Sequence, residues 1–125
     1  MRPTSAGTIL DASALTALRR SIFAQTVVQF SVREQRPLVI PATSLYVAVL
    51  AGANAADFDA SGYTVIPFSQ AIVPGVAAVA LTAGAPIAPD VAHVVWEAQV
   101  TGYPVLTDDP AVYGSINVPI DLEVL

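Results

Sequence analysis

Carboxylates at two distant points of this chain, Asp11 and the neighbours Asp108 and Asp109, are of a type that could hold a divalent cation. Asp11 follows the apolar lead-in "TIL" and opens the run "ASALTAL", whose small and helix-favouring residues predict a helix. A strand that ends at Asp11 and turns at once into a helix holds the carboxylate at the carboxyl end of the strand, where open α/β sheets bind ligands. Asp108 and Asp109 follow a second apolar segment, "YPVLT". If "TIL" and "PVLT" are parallel strands of one sheet, their carboxyl ends share an edge and the aspartates meet there. Hard cations such as Mg²⁺ and Mn²⁺ take oxygen ligands from carboxylates and water, so that convergence makes a metal site. Each aspartate also has a purely structural reading. Asp11 can cap the helix by accepting from the N–H groups of Ala12 to Ala14, and Asp109 before Pro110 is an ordinary helix start.

Asp90, His93 and Glu97 are spaced i, i+3 and i+7, which puts them on one face of a helix and permits a small polar cluster. His93 is the only histidine; a surface imidazole bonded to Glu97 is the plain reading, and metal ligation or proton transfer the sharper one. Trp96 and Tyr103 read as core or rim residues, with base stacking as the alternative, and Tyr113 falls near the acidic edge. Ser13 and Ser44 lack a recognisable triad to activate them. Gly62, Gly75, Gly84 and Gly102 are isolated and form no dinucleotide or phosphate loop.

The elements that must position these residues follow from the spacing of apolar positions. Phe23, Val27 and Phe30 predict a helix between Arg20 and Gln35, with an apolar stripe, ending before Pro37. Leu45 with Val49, and Tyr46 with Leu50, predict a second helix over 43–52. "GYTVIPF" (62–68) reads as a buried strand, and "QAIVPGVAAVALTAG" (70–84) as a helix with Pro74 in its first turn. Val91, Val94, Val95 and Ala98 mark an amphipathic helix over 89–101 closed by Gly102. "AVYGSI" is a helical turn, and Ile120, Leu122 and Val124 alternate with Asp121 and Glu123 as in a half-buried edge strand. Short strands separated by helices predict an α/β fold with a parallel sheet covered on both faces, in a single domain over 1–125.

With 125 residues and no cysteine, the chain buries a core without disulfides and has neither a thiol nucleophile nor a thiolate metal site. The residues before Asp11 include no apolar core of signal-peptide length, which with the absence of cysteine predicts a cytoplasmic protein. Uncharged stretches at 37–56 and 60–89 are interrupted by proline, glycine and polar residues, so no membrane span is expected. The formal charge is −5, with five arginines and no lysine. That balance argues against strong non-specific RNA or DNA binding, which draws its affinity from basic residues. Arg19, Arg20, Arg33 and Arg36 form either a solvated helical face or a local phosphate-contacting patch. A hydrophobic content of 54% in so short a chain predicts apolar surface left for a homodimer.

"ILDASALTAL", "VIPATSLYVAVL", "DVAHVVWEAQVTGYPVLTDDPAVY" and the final "IDLEVL" together resemble a PIN domain, over almost the whole chain. The resemblance is closest to small actinobacterial relatives of VapC-type toxins, whose L-D-A-S-A-L-like motif is matched by Leu10 to Leu15 and whose T-x-D is matched by Thr107 to Asp109. It implies a three-layer α/β/α domain with a short, mainly parallel sheet. It also implies an Mg²⁺- or Mn²⁺-dependent endoribonuclease of a toxin–antitoxin module, with RNA as substrate and an antitoxin-like protein as partner. On that pattern Asp11 is the central metal ligand, Asp109 a second one, and Thr107 orients water or carboxylate through its hydroxyl. Two acidic positions depart from it. The glutamate expected in the second helix falls on Val47 or Ala48, and the aspartate expected at the start of the late helix on Val91, beside Asp90. A reduced site would then use Asp11 and Asp109 with Asp90 or Asp108, or His93 as a substitute. The alternative is a PIN-like module that has lost catalysis and serves protein interaction or regulation.

Overall fold

The computed structural model describes residues 6–60 and 62–125; residues 1–5, which enter the reading of the N-terminus, lie outside them. Five strands form one sheet: β1 (Thr8–Leu10), β2 (Leu38–Pro41), β3 (Tyr63–Ile66), β4 (Val105–Thr107) and β5 (Leu122–Val124). Their spatial order is β3-β2-β1-β4-β5, and every neighbouring pair is parallel. The helices are α1 (Ala12–Ala17), α2 (Ile22–Arg33), α3 (Ala42–Leu50), α4 (Val73–Thr82) and α5 (Pro89–Thr101).

Strand alternation divides the core into two layers. Ile9, Val39 and Val105 join Val76 and Val79 of α4 and Val91, Val94 and Val95 of α5 on one face of the sheet. Leu10, Leu38, Ile40 and Leu106 join Ala14, Leu15, Ala24 and Ala48 of α1, α2 and α3 on the other. The expected three-layer α/β/α fold is therefore present, with a sheet that is wholly parallel. No helix among the described residues is long and apolar enough to cross a membrane.

Several elements differ from their sequence reading. "LVIP" of β2 had no strand assigned, yet its four residues are fully buried between β1 and β3. Pro41, which lacks an N–H to donate, is tolerated because it is the last residue of the strand. β3 is an edge strand, and Thr64 and Val65 are exposed instead of being buried. The expected stripe of α2 is turned: Phe23 and Phe30 are exposed, while Ala24 and Ser31 are buried. In β5, Leu122 packs toward one core layer and Val124 is exposed, while Leu125, the residue after the strand, packs toward the other layer. The 70–84 segment begins as a 3₁₀ turn before α4, with Pro74 in the first α-helical turn as expected. α5 runs over the expected residues and ends on Gly102 at φ 72°, a left-handed cap that favours glycine.

The topology fixes where a ligand would go. The chain lays down β1, β2 and β3 in one direction and β4 and β5 in the other, so the order reverses between β1 and β4. In an open α/β sheet the crevice beyond the carboxyl ends of the strands at that reversal is the usual binding place.

Candidate functional site: an acidic cleft at the sheet reversal

β1 and β4 pair in register, Ile9 with Val105 and Leu10 with Leu106, which brings the residues after Leu10 and Leu106 to one edge. Asp11 is the N-cap of α1 in extended conformation, and its Oδ1 accepts from the Ala14 amide at 2.9 Å. The capping reading is thus correct for Ala14. The carboxylate also does more. Oδ1 accepts from the Ser13 hydroxyl at 2.7 Å, and Oδ2 from the Tyr113 hydroxyl at 2.7 Å. Asp11 is 5% exposed.

Ser13 links this carboxylate to β4. Its oxygen accepts from the Asp108 amide at 2.8 Å and lies 3.2 Å from the Thr107 hydroxyl oxygen. Since the single proton of Ser13 is directed to Asp11, Thr107 donates to Ser13. Thr107 in turn accepts from the Asp109 amide at 3.0 Å. Thr107 is fully buried, and its hydroxyl, engaged by Ser13 and the Asp109 amide, reaches the Asp11 carboxylate through Ser13.

A cleft of about 320 Å³ opens above this network. Asp11, Asp90, Asp108 and Asp109 all line it, as do Arg20, Tyr113 and the apolar Val47, Val91 and Val112. The four aspartates singled out in the sequence therefore face one space. Of the two candidates for the departed glutamate, Val47 lines the cleft, whereas Ala48 is in the core. Asp108 is 3.4 Å from the Arg20 guanidinium in an exposed pair. Asp109 precedes a 3₁₀ turn, Pro110–Tyr113, as its N-cap but makes no side-chain capping bond. Burial raises the pKa of Asp90, and the Asp11 charge adds to it; the backbone amides of Asp90 and Val91 oppose the shift. Burial also raises the pKa of Tyr113, with further increments from Asp11, Asp90 and Asp109, so the phenol keeps its proton.

His93 is not part of the cleft and not on the surface. It is completely buried, with Nδ1 2.8 Å from the Thr43 hydroxyl and the Phe68 ring edge-on at 5.4 Å. Nε2 lies 3.4 Å from Glu97, which is itself buried, without hydrogen-bond alignment. Burial lowers the pKa of His93 and raises that of Glu97. Asp90 opens to the cleft while His93 and Glu97 turn inward, so the three form no joint surface cluster. Trp96 and Tyr103 are packing residues: the Trp96 ring lies over Gly75 and the Tyr103 ring over Gly7, where any Cβ would collide.

Compared with known proteins, the chain matches no family model and no curated sequence. Among the described residues no three His, Cys, Asp or Glu side chains form a group that could hold a metal ion. Asp11 spends three of about four acceptor positions on Ala14, Ser13 and Tyr113. Valines stand where the resemblance calls for two further carboxylates. This donor set does not fit the divalent cation that the resemblance implies. A larger hollow of about 750 Å³ lies at the opposite edge of the sheet, near Thr8, Pro104 and Arg33, and gathers none of the four aspartates.

The sequence reading missed Ser13 and Tyr113 as partners of Asp11. The only signal for Ser13 was its position two residues after the aspartate. Tyr113 is 102 positions away and had only its place after "DDPAV" to mark it.

Proposed function

We propose that this chain is a PIN-like domain related to metal-dependent endoribonuclease toxins, in which hydrolysis is lost and the acidic cleft serves protein recognition. The observation that carries the reading is the convergence of Asp11, Asp90, Asp108 and Asp109 on one cleft at the sheet reversal, with Asp11 consumed by internal hydrogen bonds. Four carboxylates and one arginine attract positively charged groups and repel a phosphate backbone that arrives without cations. Apolar walls from Val47, Val91 and Val112 suit the stem of a long basic side chain. An antitoxin-like protein presenting basic residues is a partner of this chemistry, and RNA is not.

Calorimetry tests this with a short arginine-rich peptide and a glutamate-rich peptide of equal length. The expected result is binding of the first alone, weakened in Asp109→Asn and Asp90→Asn; equal binding of both peptides refutes the reading. The same samples are assayed for RNA cleavage with Mg²⁺ and Mn²⁺. Cleavage by the wild type that disappears in Asp109→Asn overturns the reading in favour of a nuclease with a reduced metal site. We further propose a homodimer, supported by exposed Tyr46 and Leu50 of α3 and Ile22 and Phe23 of α2. Sedimentation as a monomer at micromolar concentration refutes it.

A further inference from the structure

We propose that Arg20 is a displaceable gate on the acidic cleft: its guanidinium holds Asp108 until a basic side chain of the partner takes that carboxylate and turns Arg20 toward a neighbouring hollow. The inference rests on the recognition reading above, and goes beyond it by assigning control of entry to one residue.

The geometry supports this on three counts. First, the cleft already holds a guanidinium. Among the described residues that line it, Arg20 is the one basic side chain, and its Nη2 lies 3.4 Å from Asp108 Oδ2. The chemistry expected of a partner is thus met from within the chain, and a partner's arginine competes with Arg20 for Asp108. Secondly, the contact is loose. The two side chains are 65% and 41% exposed, and Nη1 of Arg20 donates to the Thr16 carbonyl only at 3.3 Å. An exposed ion pair of this kind gains little from Coulomb attraction and yields to a competitor. Thirdly, the backbone is pinned while the side chain has somewhere to go. Gln25 donates to the carbonyls of Leu18 and Arg19 at 3.0 and 3.2 Å, and Arg19 is paired with Asp57 at 2.7 Å, so the segment before α2 is held in place. Arg20, Thr16 and Ala51 line both the cleft and a second hollow of about 250 Å³ that reaches Asp57. Arg20 therefore stands between two spaces, with a carboxylate in each.

Opening needs only side-chain rotation. Turning from Asp108 toward Asp57 exchanges one exposed carboxylate for another, which keeps the guanidinium in a negative field throughout. The two hollows then meet at Thr16 and Ala51, and a basic segment gains a groove that runs from Asp109 to Asp57. Displacement differs from simple charge repulsion in one respect. A positive charge that merely repels a basic peptide acts independently of Asp108, whereas a gate makes Asp108 available to the peptide only once Arg20 has left it.

The experiment is calorimetry with the arginine-rich peptide on wild type, Arg20→Gln, Asp108→Asn and the double variant, the changes being confined to exposed side chains. Arg20→Gln is expected to bind the peptide about two- to five-fold more tightly than wild type, the range that an exposed ion pair spans. Asp108→Asn alone is expected to leave the affinity close to that of wild type, because it removes a carboxylate that Arg20 already occupies. In the Arg20→Gln background the same change is expected to weaken binding by about two- to five-fold. Equal affinities of Arg20→Gln and wild type overturn the proposal, as does an Asp108→Asn effect of the same size in both backgrounds. NMR of the isotope-labelled wild type gives a second readout, the Arg20 Nε–H signal, assigned by its loss in Arg20→Gln. That signal is expected to move when the peptide binds; a signal unmoved by bound peptide overturns the gate. Absence of peptide binding by all four proteins is failure of the recognition reading and takes the gate with it, whereas binding without coupling between Arg20 and Asp108 is failure of the gate alone.

Discussion

Replacing Asp11 by alanine removes the acceptor shared by three donors, and the cost can be built from its parts. The cap of α1 is lost, since the Ala14 amide has no other side-chain acceptor in this structure, and such caps contribute about 1 kcal/mol, within a range of about 0.5–2. The Tyr113 hydroxyl stays buried without a partner, at about 1–3 kcal/mol. Ser13 is half-buried and can turn its hydroxyl to water, so it adds little. The expected loss is about 1.5–5 kcal/mol, a large part of the roughly 5–15 kcal/mol that stabilises an ordinary domain. Tyr113→Phe alone removes a hydrogen bond to a charged group and is expected to cost about 1.5–3 kcal/mol. In the double variant the orphaned hydroxyl no longer exists, so the two losses do not add. Urea unfolding of the four proteins gives the coupling energy, expected at about 1.5–3 kcal/mol. An Asp11→Ala loss under about 1 kcal/mol, or additivity within about 0.5 kcal/mol, refutes the network described here.

Other outcomes follow from the same packing and charge arguments. Because burial holds the His93 pKa below its ordinary 6.5, the unfolded chain takes up a proton at pH values where the folded one does not, and stability falls as pH drops through that value. The stability of wild type relative to His93→Gln, from urea midpoints, is therefore expected to shrink between pH 7.5 and pH 5.5; Glu97 and Asp90, whose pKa values burial raises, act in the opposite direction, losing stability as pH rises above their ordinary values. Gly75→Ala places a methyl group in the Trp96 ring and is expected to cost about 1–3 kcal/mol by thermal unfolding, as overpacking does. Ser13→Ala cuts the link from α1 to the exit of β4 and is expected to cost about 1 kcal/mol, with faster hydrogen exchange at the Asp108 amide. Arg20→Ala breaks an exposed ion pair with Asp108 and is expected to change stability by less than about 1 kcal/mol.

Legibility in the sequence depended on how local the cause was. Asp11 at a strand-to-helix turn, and α5 with proline at its start and Gly102 after its end, are set by residues within one or two turns, and both stand as read. β2 escaped because "LVIP" is a continuous apolar run flanked by proline, and its type is decided by the two strands that enclose it. The turned stripe of α2 has the same origin. Periodicity placed Phe23 and Phe30 on one face, but the space beside the sheet admits the small Ala24 and Ser31. His93 looked like a surface residue because Asp90 and Glu97 share its face. Its burial depends on Thr43 and Phe68, which are distant in sequence. The acidic cleft was legible through topology, since parallel β1 and β4 must end on one edge. Its hydroxyl partners were not, because no spacing rule joins position 11 to position 113.

The presence of Asp11 is weak evidence for hydrolysis once its partners are known. A carboxylate held for metal chemistry keeps lone pairs free for the cation. Here they are directed at an amide of α1, a serine that holds the backbone after β4, and a tyrosine at the end of the next turn. Those donors join three segments that meet where the sheet order reverses, a place where parallel strands leave unpaired backbone groups at their carboxyl ends. One buried acceptor collecting three donors holds that junction together. With three neutral donors already on Asp11, the apolar Val47 and Val91 line the cleft without leaving that buried carboxylate unpaired.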